Sequence, residues 1–367
     1  MLDRRALMTL LYPSFITNIV SLPVSASNTG GNRVKSSIKR VRVSSGSAIV
    51  LGLRKGFLAA KPTTAYLLTY HKGRCTANCG FCTQAKDSKT RADMLSRVAW
   101  PVFDVRTVAA SIATSSLKGE IRRICIQALN YPRVLNDILA LIADIRLYGA
   151  KVPISVSCQP SSKEEMVKLR EASVEKIGVA LDAVTMEVFE KVKGSRADGP
   201  YEWHSQLQAL LEAVDVFGVG NVSTHLIVGL GEREEDIVEI IQWCTDTGVY
   251  PAIFAFTPIP GTRLEHGHPP TISQYRRIQL AHYLVVQGQT RNEKMVFGQD
   301  GSIVDFGVSQ EEYEESIRSG KPFLTSGCPS CNRPYYNEKP SGPLYNFPVQ
   351  PTIVEVRNIR KQLEVRN

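Results

Sequence analysis

Between residues 63 and 256 short apolar runs alternate with amphipathic segments, and that alternation restricts the fold more than any other feature. The runs are "TTAYLLTY" (63–70), "RRICIQA" (122–128), "VPISVSC" (152–158), "KIGVALD" (176–182), "VSTHLIVG" (222–229) and "YPAIFAF" (250–256). Short apolar runs of this kind are expected of strands covered on both faces. The segments between them, such as "RVLNDILALIADIRLYG", "SKEEMVKLREAS", "QLQALLEAVDVFG" and "EEDIVEIIQWCTDTG", repeat apolar residues every three or four positions, and several stop at Gly. Six strand–helix units in series predict an α/β fold with a parallel sheet and right-handed crossovers. A doubly wound sheet shares the pattern, but the unbroken repeat favours a complete or partial TIM-type (β/α) barrel of parallel strands.

Chemistry in such barrels is carried by the loops at the carboxyl ends of the strands. The loop after the first strand reads "YHKGRCTANCGFCTQAK" (70–86) and places Cys75, Cys79 and Cys82 within eight residues. Structural zinc takes four ligands, commonly from two C-x-x-C knuckles, and no fourth is local, His71 reading as a loop residue. A [4Fe–4S] cube takes one ligand per iron, so three thiolates leave one iron open.

The C-x3-C-x2-C spacing resembles the radical S-adenosylmethionine (SAM) superfamily. The resemblance implies that Cys75, Cys79 and Cys82 hold a [4Fe–4S] cluster whose open iron binds SAM, which is cleaved to a 5′-deoxyadenosyl radical. It also implies cofactor contacts. Phe81 stands where an aromatic borders the adenine, and Asp182 where biotin-synthase-like members bind the ribose. A helix N-cap before "TMEVFEK" is the alternative reading of Asp182. Gln127 and Asn130 occupy the strand-two position that contacts the methionyl amine, without the usual Gly-Gly-Glu. "HLIVGLGE" (225–232) resembles a G-x-I-x-G-x-x-E strand with His225 in place of the first Gly, which sets Ile227 beside the adenine and Gly229 in a tight turn.

Five cysteines remain. Cys244 lies mid-helix and reads as a small buried hydrophobe. Cys125 and Cys158, in the second and third strands, are expected to point into the barrel, at positions that resemble two auxiliary-cluster ligands of biotin synthase. The third such position falls at Ser223-Thr224-His225, which counts against a [2Fe–2S] site of that type. Cys328 and Cys331, in "CPSC", bring the set to four, enough for a second [4Fe–4S] cluster if the tail folds over the barrel mouth. Two buried thiols and a separate metal knuckle are the alternative.

With "KPTTAYLLTYHKGRCTANCGFCTQA" and "SGCPSCNRPYYNEKPSGPLYNFP", the chain is similar to the two-protein, archaeal-type lipoyl synthases, over roughly residues 35 to 350. That resemblance implies a sulfurtransferase that thiolates C6 or C8 of a protein-bound octanoyl chain, with the auxiliary cluster as sulfur donor and Arg333 and Tyr335 positioning substrate or cluster. Its implied partners are an octanoylated lipoyl carrier protein, a paralogous component and a ferredoxin- or flavodoxin-type reductant, with no nucleic acid and no membrane. Other readings are a different biotin-synthase-like enzyme (sulfur inserter, methylase or mutase) and a non-catalytic iron–sulfur or zinc protein.

Charge bears on organisation. The net charge of +9 resides before residue 62, where ten Lys and Arg face a single Asp. Such a basic arm suits an acidic partner or is a solvated tail. The first residues imitate a secretory signal, but Pro13, Asn18 and Pro23 break the apolar run, and thiols poised for a cluster point to the cytoplasm. The expected organisation is a disordered or over-long segment (1–33), a barrel (34–308) and a cysteine-bearing extension (309–367).

Overall fold

A computed structural model describes residues 38–364; the segment 1–33, with Arg33, and also Lys35 lie outside the described residues. The main sheet has eight strands: β1 (Arg40–Val43), β2 (Thr64–Thr69), β3 (Val102–Asp104), β4 (Arg123–Gln127), β5 (Ile154–Ser157), β6 (Lys176–Gly178), β7 (Val222–Val228) and β8 (Val249–Ala255). Their order is β8-β7-β6-β5-β4-β2-β1-β3. The six strands expected from the sequence run parallel. β1 and β3 add antiparallel pairings at one edge. With β8 and β3 as unpaired edges, the barrel is partial.

Ten helices are described: α1 (Ser45–Val50), α2 (Val105–Leu117), α3 (Val134–Leu147), α4 (Lys163–Glu171), α5 (Met186–Val192), α6 (Trp203–Phe217), α7 (Glu234–Thr247), α8 (Ile272–Val286), α9 (Gln310–Ser319) and α10 (Ile353–Glu364). Helix α2 follows β3, helices α3 to α8 follow the parallel strands β4 to β8, and together they cover the outer face. Alternation along the strands sorts the residues: Ala65, Leu67, Ile124, Ile126, Ile154, Val156 and Ile177 pack outward into one apolar core. Tyr66, Leu68, Cys125, Gln127, Ser155 and Ser157 line the interior. Cys244, on α7, is fully buried in the outer core, as its helical position predicts. Among the described residues no helix is long and apolar enough to cross a membrane.

The carboxyl-terminal loop does not lie over the mouth of the barrel. It crosses the opposite end, then climbs the open side. The Ser326 hydroxyl meets the edge strand β8, accepting from Ile253 N at 2.9 Å. Residues 328–332 then pass beneath the amino ends of β2 and β4. There Pro329 O accepts from Arg123 Nε at 3.1 Å, Ser330 O from Thr63 Oγ1 at 2.5 Å, and Asn332 Oδ1 from Thr63 N at 3.1 Å. Further on, Asn337 Nδ2 donates to Ala255 O at 2.9 Å, at the carboxyl end of β8. Tyr336 O accepts from Ser96 Oγ at 3.2 Å, in the hairpin that precedes β3. The loop therefore spans the gap that six parallel strands leave.

Its return leg is gripped by Arg276 of α8, only 1% exposed. That guanidinium donates to Tyr345 O at 2.6 Å, Leu344 O at 2.5 Å and Gln362 Oε1 at 3.0 Å, which ties α10 to the same point. Arg42, counted in the basic arm, is also buried; it donates to Trp100 O at 3.3 Å and lies over the Tyr70 ring. It is not free to meet a partner.

Glu338, inside this loop, is buried, and one carboxylate oxygen has no hydrogen-bond partner. Burial raises its carboxyl from 4.5 to about 7 despite Arg333 and Arg276 nearby. The folded chain thus holds this proton where the unfolded chain releases it, so stability falls as pH rises from about 4.5 towards about 7 and is fully present below that window. Urea unfolding is expected to show a protein less stable at about pH 8 than at about pH 5, each tenfold difference in proton affinity between the folded and unfolded chain being worth about 1.4 kcal/mol. Glu338→Gln is expected to diminish that loss.

Candidate functional site: two sets of thiols in one cavity

The loop after β2 is held as a rigid ring. Cys75 N donates to Gln84 O at 3.1 Å, and Gln84 Nε2 donates to Ala92 O at 2.9 Å and Met94 O at 2.5 Å. Asn78 and Asp87 exchange two hydrogen bonds, 2.8 and 3.1 Å. Gly80 N donates to Val192 O at 2.7 Å, and a Cβ at Gly80 would stand 3.3 Å from Leu264. Side-chain and backbone bonds together aim Cys75, Cys79 and Cys82 into the cavity.

Burial pushes the Cys82 thiol up to about 12 and raises Cys79 further, with each neighbouring thiol adding to the effect. The main opposing influence on Cys79 is the Lys193 ammonium. Two backbone N–H groups are directed at sulfur: Asn130 N at 3.2 Å from Cys75 and Gln84 N at 3.4 Å from Cys82. At Cys82 that amide works against the effect of burial.

Around this ring stand the other predicted residues. Phe81, Gln127, Asn130, Asp182 and Ile227 all line the same cavity. Asn130 Nδ2 donates to Tyr201 Oη at 2.6 Å. Asp182 does not cap the following helix; Thr185 does, accepting from Val188 N. Asp182 instead adopts a left-handed backbone, φ 69°, and bridges to β7 through His225 O and Ile227 N. Its carboxylate accepts from Lys193 Nζ at 2.7 Å. Lys193, 1% exposed, also donates to Ala180 O and lies 4.9 Å from the Tyr201 ring centre. Gly229 sits behind the cavity wall in a tight turn, φ 102°, closed by Glu232 accepting from Gly229 N and Leu230 N. A Cβ there would stand 2.8 Å from Pro270. His225 is kept neutral by burial, which pushes it down to about 4.

A second set lies at the floor. Cys125, paired in register with Tyr66 and Ser155, is raised by burial and by the charges of Cys328 and Cys331. Tyr66 Oη accepts from Arg333 N at 2.9 Å and stands 3.3 Å from Cys331 Sγ, where either group can donate. Ser155 Oγ stands 3.4 Å from Cys328 Sγ. Cys158, just past the end of β5, lines the same cavity and also packs against the core, and only Glu165 acts on its charge beyond burial. Arg333 lies in the cavity with its guanidinium 3.8 Å from the Phe254 ring centre. Tyr336, not Tyr335, lines the cavity wall.

The cavity between the two sets measures about 280 Å³ and is mainly apolar, with Leu68, Leu95, Leu129, Ile227, Phe254 and Tyr336 in its wall. Among the described residues no three His, Cys, Asp or Glu side chains gather around a point fit for one metal ion. Thiolates on a cube bind different irons, and soft sulfur donors suit iron–sulfur clusters. The upper set fits a cube with one open iron.

Sequence reasoning does not single out Lys193, Ser155, Tyr66 or Arg123. Lys193 in "EKVKGSR" reads as a solvated helix-end lysine, and only the strand register reveals Ser155. Lys193→Met is expected to lower stability by about 3 kcal/mol, because it strands a buried carboxylate. Asp182→Asn added to Lys193→Met should be milder than Lys193→Met alone in a denaturant-unfolding cycle.

Residues 69–244 match the radical SAM superfamily. A biotin synthase of Acidithiobacillus ferrooxidans is 26% identical over 209 residues, covering 55% of this chain and 61% of that protein. One of Chlamydia pneumoniae is 26% identical over 226 residues, covering 59% of this chain and 63% of the relative. The match thus spans less than two thirds of the curated relatives' length. The structure of the FeFe-hydrogenase maturase HydG from Carboxydothermus hydrogenoformans superposes with a TM-score of 0.47 at 14% identity, over 67% of this chain and 56% of that one; a likeness that weak adds nothing to the site.

Proposed function

Starting from a chain that carries a radical SAM domain over residues 69–244, we propose that this protein inserts sulfur into an unactivated alkyl chain, an octanoyl group borne by a lipoyl carrier protein. One observation carries the reading: two separate sets of buried thiols face one mainly apolar cavity from opposite ends. Asn130, whose N–H reaches Cys75, stands five residues along from Cys125, at most about 18 Å of extended chain. A single short alkyl chain can lie between the two sets. The biotin synthases among the relatives support sulfur insertion as the reaction class.

Bound at the upper thiols, a [4Fe–4S] cluster with SAM supplies a radical able to take hydrogen from an unactivated carbon, and a second cluster at the lower thiols supplies the sulfur. The chain's own part is to place and protect. Lys193 fixes the Asp182 carboxylate at the rim, where ribose hydroxyls are its partners in this reading. Leu68, Leu129, Ile227 and Phe254 receive the alkyl chain and exclude water from it. Tyr336 and Arg333 bring the carboxyl-terminal loop against β8, so the loop that carries Cys328 and Cys331 also forms cavity wall. A paralogous component and a ferredoxin- or flavodoxin-type reductant complete the proposed system.

Cys328→Ala is expected to keep SAM cleavage and lose thiolation altogether, read as the mass of an octanoylated carrier peptide after turnover. Undiminished product would contradict the donor role of the lower site. Product formed from dethiobiotin instead of the octanoyl carrier would move the assignment to a different biotin-synthase-like sulfur inserter.

A further inference from the structure

Four neighbouring strands bring positive charge to one side of the barrel mouth. We propose that the rim formed there by β4, β2, β1 and β3 is the docking face for an acidic carrier domain, which holds the alkyl chain over the cavity. The proposal rests on reading the substrate as a chain borne by a carrier protein.

These strands lie side by side in the sheet, and β1 runs antiparallel to both β2 and β3. The start of β1 is therefore level with the ends of its neighbours, Val41 pairing with Thr69 and Arg40 with Asp104. Lys39 and Arg40 are thus delivered to the same end as Lys72 on the loop after β2, Arg106 in the first turn of α2, and Arg133 on the loop after β4. All five are exposed. The rim is also tied together. Arg40 Nη1 donates to Tyr70 Oη at 3.4 Å, and Lys39 O accepts from Val105 N at 3.1 Å. The His71 ring stacks on Tyr131 at 4.6 Å, and Thr76 N donates to Asn130 O at 2.9 Å, which joins the loops after β2 and β4.

The nearby carboxylates do not neutralise this face. Asp104 accepts from Arg106 N and Thr107 N as the cap of α2, and Asp137 accepts from Tyr131 Oη. None of the five basic side chains has an ion-pair partner among the described residues. Position then selects the occupant. The opposite end of the barrel is crossed by residues 328–332, so a tethered chain enters from the mouth. Leu129 and Asn130, which line the cavity, run directly into Tyr131 and Arg133 on the rim. A carrier that feeds its chain past them rests on the basic face, which attracts an acidic surface and sets its orientation.

The test uses the full chain and a labelled octanoylated lipoyl carrier domain of net negative charge, with binding read by fluorescence anisotropy. Changing Lys39→Glu, Lys72→Glu and Arg133→Glu together is expected to raise Kd about tenfold at low salt, as the loss of three exposed charge contacts allows. The two proteins should converge near about 1 M salt, where the screening length is about 3 Å. The same three positions changed to Gln should give an intermediate Kd. A short octanoyl-lysine peptide should be thiolated equally by all of these proteins, because it lacks the acidic domain. An unchanged carrier Kd in both sets of variants overturns the proposal. So does a defect confined to reduction of the upper cluster by reduced flavodoxin, which assigns the face to an electron donor. In either case thiolation of the peptide leaves the proposed function standing. Failure of the unaltered protein to thiolate both carrier and peptide overturns that function, and this docking face with it.

Discussion

The structure turns on a gap. Six parallel strands do not close a barrel, and the antiparallel strands β1 and β3 extend one edge of the sheet without reaching β8. An open interior of this kind would be flooded with water, and β8 would expose unpaired backbone groups. The carboxyl-terminal loop resolves both problems. Ser326 satisfies Ile253 on the edge strand, residues 328–332 cross the floor, and Tyr336 and Asn337 rise along the open side. Arg276 then holds the return of the loop from within the core. The cysteines of the loop are delivered to the barrel floor because the loop must pass there to close the wall.

Burial then sets the chemistry. Thiols in a dry cavity are raised by desolvation, as Cys79, Cys82 and Cys125 are, so without a metal they keep their protons at neutral pH. The chain places a cation or an N–H donor near each set instead of opening it to water. Lys193 serves the upper ring, Arg333 and Arg123 the lower one, and backbone amides meet Cys75 and Cys82. These groups stabilise the thiolates that ligation needs. They are themselves fixed by Asp182, Ser326 O and Glu175.

Much of this is legible in the sequence, for physical reasons that also mark where legibility stops. The six parallel strands stand out because both faces are covered, which makes them apolar without alternation. β1 (RVRV) and β3 (VFD) do not, being short, partly charged strands whose meaning depends on partners. The cysteine ring is readable from spacing alone, since all three thiols share one loop. Cys158 reads as facing inward because it ends an apolar run, and it does line the cavity; Ser155, the partner of Cys125 on the next strand, is revealed only by the register. Asp182 reads equally as a helix cap, yet Thr185 takes that role and the aspartate turns to Lys193. The loop from 326 to 348 has no periodicity, so no sequence pattern gives its path beneath the barrel. Only tertiary hydrogen bonds define it.

The central claim is that the lower thiols hold the sulfur that enters the product. It is tested most directly by reconstituting the protein with isotopically heavy sulfide, removing unbound sulfide, and running a single turnover on an octanoylated carrier peptide with light sulfur everywhere else. The account predicts thiolated peptide carrying the heavy isotope, and no labelled product when Cys328 and Cys331 are replaced. Product containing only light sulfur would contradict it.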